Sequence, residues 1–82
     1  MIADALARIM AQRRYPELAR RRGVEGRVRI AFHVDGTGRV GGFRVVRSAD
    51  ELLDDAAREA VERAAPLPPL GDVEVDVDFH LD

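Results

Sequence analysis

Apolar and polar side chains alternate without exception along the last ten residues of the chain, Val73-Glu74-Val75-Asp76-Val77-Asp78-Phe79-His80-Leu81-Asp82. Because successive side chains of a β-strand point to opposite faces, this alternation predicts a strand with one apolar and one polar face. The polar face carries Glu74, Asp76, Asp78, His80 and Asp82. The apolar face has to be covered by other elements, which the preceding sequence must supply.

Two further strands are predicted upstream. Residues 27–35 form the first, because their large apolar side chains fall on one face: Val28, Ile30, Phe32 and Val34. A hairpin turn follows at Asp35-Gly36-Thr37-Gly38, in which Asp-Gly supplies the positive φ. Residues 39–47 form the return strand, and its alternation changes parity across Gly41-Gly42, which indicates a β-bulge there.

Two longer segments have the composition and spacing of helices. Residues 4–14 are strong helix formers and predict an N-terminal helix within residues 1–14. Tyr15-Pro16 ends it, since proline disfavours helical geometry at the residue before it, and a short helical turn follows at 17–22. The second main helix is predicted to start at a capping box formed by Ser48 and Glu51 and to stop before Pro66.

Together these elements predict an α+β fold, with a three-stranded antiparallel sheet of order 2-1-3 and two main helices packed on one face. Charge favours this order, because the first two strands carry arginines on the solvent face and the last carries acids. We expect Val28 to lie opposite Phe79 and Arg29 opposite Asp78. This arrangement leaves the last strand with one free edge.

Composition limits the functions open to the chain. Its 82 residues and 46% hydrophobic content suit a single small domain over residues 1–82, with residues 15–82 as the core after the N-terminal helix. The absence of cysteine excludes disulfides and thiol chemistry, and no apolar run approaches the ~20 residues of a membrane span. Residues 1–29 hold eight arginines against three acids, whereas residues 48–82 hold two against eleven. We expect much of this charge to pair within the fold, since arginine suits bidentate pairing with carboxylates.

A series of short motifs resembles the C-terminal domain of TonB energy-transducing proteins. The resemblance covers about residues 15–82 and is carried by Tyr15-Pro16 with Ala19, Glu25-Gly26-Arg27-Val28, Phe32-His33-Val34-Asp35 with Gly38-Arg39-Val40, Val45-Val46-Arg47-Ser48, Leu53-Asp54 with Ala57, Pro66 with Pro68-Pro69, and Phe79 with Leu81. Its specificity lies in the order of these motifs, from the Tyr-Pro element through the Glu-Gly strand and the glycine hairpin to the helix start, and Tyr15, Pro16, Glu25 and Gly26 are taken as the family motif. We interpret Tyr15 as a ring that packs on the sheet in preference to one that docks a partner.

The resemblance implies a non-enzymatic periplasmic domain that binds the N-terminal segment of outer-membrane transporters by β-strand addition. Such a domain couples the proton-motive force of the inner membrane to uptake of iron chelates, haem or vitamin B12. ExbB- and ExbD-type partners are implied through an upstream membrane anchor and proline-rich spacer, which these 82 residues lack. The transporter segment is then expected along the last strand, at Val73, Glu74, Val75, Asp76, Val77, Asp78, Phe79, His80 and Leu81.

Other functions were weighed against this one. A TolA-like or orphan envelope scaffolding module is the nearest alternative, and a small nucleic-acid-binding domain is a more distant one. The clusters Arg13-Arg14 and Arg20-Arg21-Arg22 could contact phosphates, but we expect no nucleic acid, because the net charge is −2 and no aromatic residues interleave the arginines. Free strand edges also invite self-pairing, so a strand-mediated or swapped homodimer is a further expectation.

We expect no metal, cofactor or catalytic site. His33 and His80 are predicted about six residues apart along the strands, which is too far to share an ion, and zinc normally needs three or four ligands. Thr37 and Ser48 have no neighbouring base that could activate a hydroxyl, and Ser48 is better explained as a helix cap.

Overall fold

The computed structural model describes residues 2–81, and its elements follow the predicted order. They are α1 (Ile2–Gln12), α2 (Glu17–Arg22), β1 (Gly26–Val34), β2 (Val40–Arg47), α3 (Glu51–Ala64) and β3 (Gly71–Phe79). The predicted N-terminal helix is therefore found at α1, ending at Gln12 instead of residue 14. Met1 and Asp82, which fell within predicted elements, lie outside the described residues.

The sheet has the predicted order, β2-β1-β3, and both strand pairs are antiparallel. Helices α1 and α3 pack against each other and together cover one face of the sheet. Between the layers lies one apolar core, whose largest fully buried side chains are Ile9, Val28, Ile30, Val34, Leu53, Val61, Val77 and Phe79. The predicted α+β architecture is confirmed.

The predicted register of β1 against β3 was wrong by two residues. Val28 lies opposite Val77 instead of Phe79, and Arg29 lies opposite Asp76 instead of Asp78. A shift of two residues keeps every side chain on the same face, so the apolar pattern alone cannot distinguish the two registers. The observed register places Arg27 opposite Asp78 as well, a pairing that the predicted register would have replaced with His80.

The bounds of the last strand also differ from the prediction. Gly71 and Asp72 belong to β3, where a turn was expected, and the strand ends at Phe79. His80 and Leu81 were predicted as strand residues but lie beyond it. The Leu81 amide donates a hydrogen bond to the Glu25 carboxylate instead of joining the ladder to β1.

The hairpin between β1 and β2 is held by the Asp35 side chain. One Asp35 carboxylate oxygen accepts from the Thr37 amide at 2.8 Å, the Thr37 hydroxyl at 2.6 Å and the Arg39 amide at 3.0 Å. The positive φ was assigned to Gly36 but occurs at Gly38, at 87°, where a Cβ would also lie 2.8 Å from the Leu67 carbonyl oxygen.

β2 is irregular, as the change of parity at its glycine pair predicted. One register shift falls between the pairs Ala31–Arg44 and His33–Gly41, which confirms the bulge near Gly41-Gly42. A second shift, between the pairs Arg29–Arg47 and Ile30–Val45, was not predicted. Bulges bend and twist a strand, so β2 is a poor template for a further strand.

Ser48 is not the N-cap of α3, contrary to the prediction. Asp50 occupies that position, and its carboxylate accepts from the Leu52 amide at 2.9 Å. The Ser48 hydroxyl instead donates to the Asp54 carboxylate. The helix therefore starts two residues later than a Ser48 cap requires, and Ala49, in the segment before it, lies against Gly26 of β1.

Candidate functional site: the outer edge of β3

β3 is an edge strand. It pairs with β1 on one side, and within residues 2–81 no backbone hydrogen bond joins its other side to the chain. An edge of this kind presents a row of unpaired amide and carbonyl groups, which are a template for an additional strand.

One hydrogen bond reveals which backbone groups point outward. The Asp35 amide donates to the Arg39 carbonyl at 3.0 Å. Backbone groups alternate in direction along a strand, so the odd-numbered residues of β1, which leads into Asp35, point their backbone groups toward β2. Even-numbered residues of β1 therefore face β3 and pair with its odd-numbered residues, as Ile30 does with Val75. The outward backbone groups of β3 belong to Asp72, Glu74, Asp76 and Asp78, and we call these groups the β3 edge.

Only part of the predicted binding segment contributes to the β3 edge. Glu74, Asp76 and Asp78 do so with their backbone. The backbone groups of the odd-numbered residues are turned toward β1: Val73, Val75, Val77 and Phe79. His80 and Leu81 lie beyond the strand. Asp72 was missed because Gly71-Asp72 has the composition of a turn, although its parity already matched that of the acids that follow.

Arg13 covers the last group of the β3 edge. Its guanidinium donates to the Asp78 carbonyl, and lies 5.7 Å from the centre of the Phe79 ring. This contact supports the outward direction of the Asp78 carbonyl, since Arg13 approaches from the end of α1 and not through the sheet. Among the described residues 2–81, no partner is found for the amides and carbonyls of Asp72, Glu74 and Asp76 or for the amide of Asp78. Nothing in the local sequence marks Arg13 for this role.

The acidic side chains of β3 form a row on the solvent face of the sheet, and we call Asp72, Glu74, Asp76 and Asp78 the acidic row. Arg29 binds Glu74 at 2.8 Å and Asp76 at 3.2 Å, and Arg27 binds Asp78 at 2.6 Å. His33 lies 2.9 Å from Asp72. These pairs are solvent-exposed, so each adds little to stability, but they fix the carboxylates toward the β1 side.

The same ion pairs shift the pKa values of both arginines. Hydrogen bonding and attraction by Glu74, with a further contribution from Asp76, raise the pKa of Arg29 above its ordinary value. Hydrogen bonding and attraction by Asp78 raise the pKa of Arg27 in the same way. The carboxylates of the acidic row thus favour the charged form of both guanidiniums.

A groove of about 420 Å³ runs beside β3 and includes both faces of the strand. On the helix side it is lined by Ile2 and Leu6 of α1 together with Val75. On the solvent side it is lined by Glu74, Asp76 and Asp78 with Arg27 and Arg29. A strand added to β3 would lie with one row of side chains on each of these surfaces.

Three of the four motif residues, Tyr15, Glu25 and Gly26, make contacts at one end of the sheet. The Tyr15 hydroxyl donates to the Val24 carbonyl, and its ring packs edge-to-face on Phe79 with centroids 5.7 Å apart. Burial, the largest contribution, raises the pKa of Tyr15 above its ordinary value. Pro16 precedes α2, Glu25 binds the Leu81 amide, and Gly26 gives Ala49 room. The interpretation of Tyr15 as a packing residue agrees with this placement.

Three further features of the described part of the chain concern metals, membranes and the basic clusters. Residues 2–81 contain no cluster of three His, Asp or Glu side chains that could hold a metal ion. None of the helices formed by these residues has the length and apolar character needed to cross a lipid bilayer. In the basic clusters, Arg20 lies 6.0 Å from the centre of the Tyr15 ring, and Arg21 lies 3.6 Å from Glu17.

Comparison with known sequences gives relatives of one kind. The family model for the Gram-negative bacterial TonB protein C-terminal matches residues 11–82. Protein TonB of Helicobacter pylori strain J99 is 40% identical over 65 residues, which cover 78% of this chain and 23% of that protein. Protein TonB of Pasteurella multocida is 37% identical over 79 residues, which cover 89% of this chain and 31% of that protein.

Comparison with solved structures agrees. A solution NMR structure of the Helicobacter pylori TonB C-terminal domain has a TM-score of 0.84 at 30% identity, covering 99% of this chain and 80% of that one. A second NMR structure of the same domain has a TM-score of 0.70 at 28% identity, covering 99% and 91%. The chain spans between 22% and 31% of the length of the curated relatives it matches.

Proposed function

Because this chain belongs to the family of Gram-negative bacterial TonB protein C-terminal domains, we propose that it binds an extended segment of an outer-membrane transporter as a strand added to β3. The family resemblance predicted from the short motifs is confirmed, and so is the predicted fold. Domains of this family are interaction domains of energy transducers and are not enzymes. This agrees with the prediction that the chain has no catalytic activity.

The β3 edge is the observation that carries this proposal. Seven backbone groups are open there, because Arg13 occupies one of the eight that Asp72, Glu74, Asp76 and Asp78 provide. β-strand addition draws its affinity from main-chain hydrogen bonds and takes its specificity from the flanking side chains. One edge of this kind can therefore accept segments of different sequence, as a domain that serves several transporters requires.

The backbone bonds alone would give weak binding. Each net hydrogen bond contributes about 1 kcal/mol, whereas ordering each residue of an incoming segment costs about 1–2 kcal/mol. A segment that reaches from Asp72 to Asp78 orders about seven residues, so seven bonds at best balance this cost, and the side chains of the segment must supply the remaining affinity. Binding of this strength suits a contact that forms and releases in each transport cycle.

The wider role that we propose is that of the periplasmic, terminal part of an energy transducer. An upstream membrane anchor and proline-rich spacer would connect it to ExbB- and ExbD-type partners in the inner membrane. The proton-motive force would then act on a transporter through the added strand to release iron chelates, haem or vitamin B12 into the periplasm. This role is supported by the family membership and by the relatives named Protein TonB.

Proline substitution at Asp76 tests the proposed mode of binding. Asp76 points its amide outward, so Asp76→Pro removes an edge donor without removing a bond to β1. Proline is tolerated in sheets at such outward-facing positions of edge strands. Asp76→Ala is the matched control, because it removes the same carboxylate and keeps the amide. Proline at Val75 would not serve, since the Val75 amide faces β1 and its loss would weaken the fold.

The measurement is a titration of the 15N-labelled domain with synthetic peptides from transporter N-terminal segments. We expect amide shifts confined to residues 72–78 and their neighbours in β1 and α1, with binding retained in Asp76→Ala and lost in Asp76→Pro. Unchanged peak dispersion would verify that both variants fold. Shifts centred on Arg20 to Arg22 or on β2, or equal binding by the two variants, would rule out strand addition at β3.

A further inference from the structure

We propose that the β3 edge selects segments in which basic and apolar residues alternate, with the basic side chains over the acidic row and the apolar side chains against α1. This inference rests on the proposed function, because it describes the segment that the same edge accepts. It commits to a partner protein segment as the occupant and follows from the different chemistry of the two surfaces of the groove.

The acidic row has charge left over for a partner. Within residues 2–81, its four carboxylates face two guanidiniums, those of Arg27 and Arg29, and the imidazole of His33, so the carboxylates outnumber the guanidiniums by two. Both arginines belong to β1 and approach from that side, which leaves the outer side of the carboxylates open. An ionised carboxylate can accept about four hydrogen bonds, more than these partners supply.

The position of an added strand brings its side chains to this row. Residues that lie directly opposite each other on neighbouring strands have Cβ atoms about 5 Å apart on the same face. A residue opposite Glu74 or Asp76 would therefore project from the solvent face beside a carboxylate. Lysine or arginine at that position gains attraction, and an acidic residue meets repulsion from two or three carboxylates at once.

The opposite surface of the groove is apolar. The Ile2 side chain is 49% exposed and Leu6 is half-buried, and both lie on the part of α1 that borders β3. Side chains of an added strand that lie opposite Val73 and Val75 would project onto this surface. Since α1 also bounds the groove on this side, small or medium apolar residues suit these positions better than charged ones.

The second edge of the sheet would repel the same segment. β2 carries Arg44 and Arg47, and its two register shifts interrupt the regular spacing of its backbone groups. A basic segment therefore meets like charge and an irregular ladder at β2, but opposite charge and a regular ladder at β3. The charge difference across the sheet thus directs the partner to one of its two edges.

Three synthetic peptides of equal length test the proposed selectivity. One alternates Val and Lys, one Val and Gln, and one Val and Glu, each with a soluble N-terminal tag. Two to three exposed ion pairs are expected to make the Lys peptide bind about tenfold more tightly than the Gln peptide at low salt, and the Glu peptide should bind most weakly. About 0.5 M salt should bring the three dissociation constants together, because exposed charges are then screened.

Matched variants separate charge from fold. Asp72→Asn combined with Glu74→Gln removes two charges of the acidic row and should reduce the tenfold preference to about twofold. Glu51→Gln combined with Glu62→Gln, on the exposed side of α3, changes the net charge equally and should leave the preference intact. Ile2→Ser should weaken binding of all three peptides alike, since it changes only the apolar surface.

The outcomes distinguish this inference from the function on which it rests. If no peptide shifts the amides of residues 72–78, strand addition itself fails. Equal shifts and equal affinities for the three peptides would retain strand addition and overturn the selectivity. Concentration-dependent self-association through β3 without peptide, measured by sedimentation, would make a second copy the occupant and would also overturn it.

Discussion

Alanine at Gly26 should destabilise the domain through a single contact. A Cβ at Gly26 would lie 2.6 Å from the Ala49 Cβ and 3.8 Å from the Leu53 Cδ1. Non-bonded carbons prefer about 3.5–4.0 Å, so β1 and the segment before α3 would have to separate by about 1 Å. The backbone of Gly26 does not have a positive φ, and the cost therefore comes from this contact alone.

Overpacking of this size costs about 1–3 kcal/mol, and each kcal/mol lowers the melting temperature of a domain of this length by about 4–8 °C. Urea unfolding followed by circular dichroism measures the free energy directly. Gly41→Ala is the matched control, because a Cβ at Gly41 would meet nothing within 4 Å and its φ is not positive. We expect the control to stay within about 0.5 kcal/mol of the parent.

Ala49→Gly should rescue Gly26→Ala, because it removes the atom that the new methyl group meets. Ala49 lies before α3, so glycine there costs only about 0.4–1 kcal/mol through the entropy of the unfolded chain. The double variant should consequently show a favourable coupling of about 1 kcal/mol or more. Strictly additive effects of the two substitutions would refute the contact as the reason for glycine at this position.

Three further predictions concern the hairpin, the ring that packs on Phe79 and the β3 edge. Hydrogen bonds lower the pKa of Asp35; the Thr37 hydroxyl contributes most, followed by the Arg39 and Thr37 amides. The stability that ionised Asp35 provides is therefore present above the ordinary carboxyl pKa and is lost as pH falls through the lower pKa of the folded state. Asp35→Asn should flatten this part of an acid unfolding profile. Tyr15→Phe should cost about 1–2 kcal/mol through the bond to Val24, and Tyr15→Ala about 3–5 kcal/mol because ring packing is lost as well, both measured in urea. Arg13→Met should open the Asp78 carbonyl and tighten peptide binding up to about fivefold in calorimetry, whereas weaker binding would mean that Arg13 contacts the peptide.

The sequence was sufficient to predict the fold, because the buried face of each strand and the order of the strands follow from patterns of apolar and charged residues. A two-residue change of register leaves these patterns unchanged. Valines and acids alternate from residue 73, and arginines mark the strand that pairs with them. The register of β1 against β3 depended on one further fact, namely that Asp72 belongs to β3. The composition of Gly71-Asp72 had suggested a turn instead. Once Asp72 is included, Arg27, Arg29 and His33 all find acids, which is the arrangement that the structure adopts.

The details that the sequence could not supply depend on contacts between distant segments. Ser and Asp are equally suitable at an N-cap, and in the structure Asp50 takes this position while Ser48 donates to Asp54 and Ala49 lies against Gly26. Arg13 lies 65 residues from Asp78, and no local pattern connects them. The positive φ at Gly38 likewise coincides with the approach of the Leu67 backbone.

In the proposed strand addition, β3 separates stability from recognition by residue parity, so that one strand can serve both. Its odd-numbered residues bury their side chains in the core and turn their backbone groups toward β1, so substitutions there change the free energy of unfolding. Its even-numbered residues expose their carboxylates and their outward backbone groups, apart from the Asp78 carbonyl, to which Arg13 donates. A side-chain substitution at an even position leaves the amide and carbonyl in place, and it therefore changes which segments are preferred without abolishing strand pairing. Side-chain changes at the proposed edge therefore alter the preference among segments, and among the twenty amino acids only proline at an even position removes an edge donor.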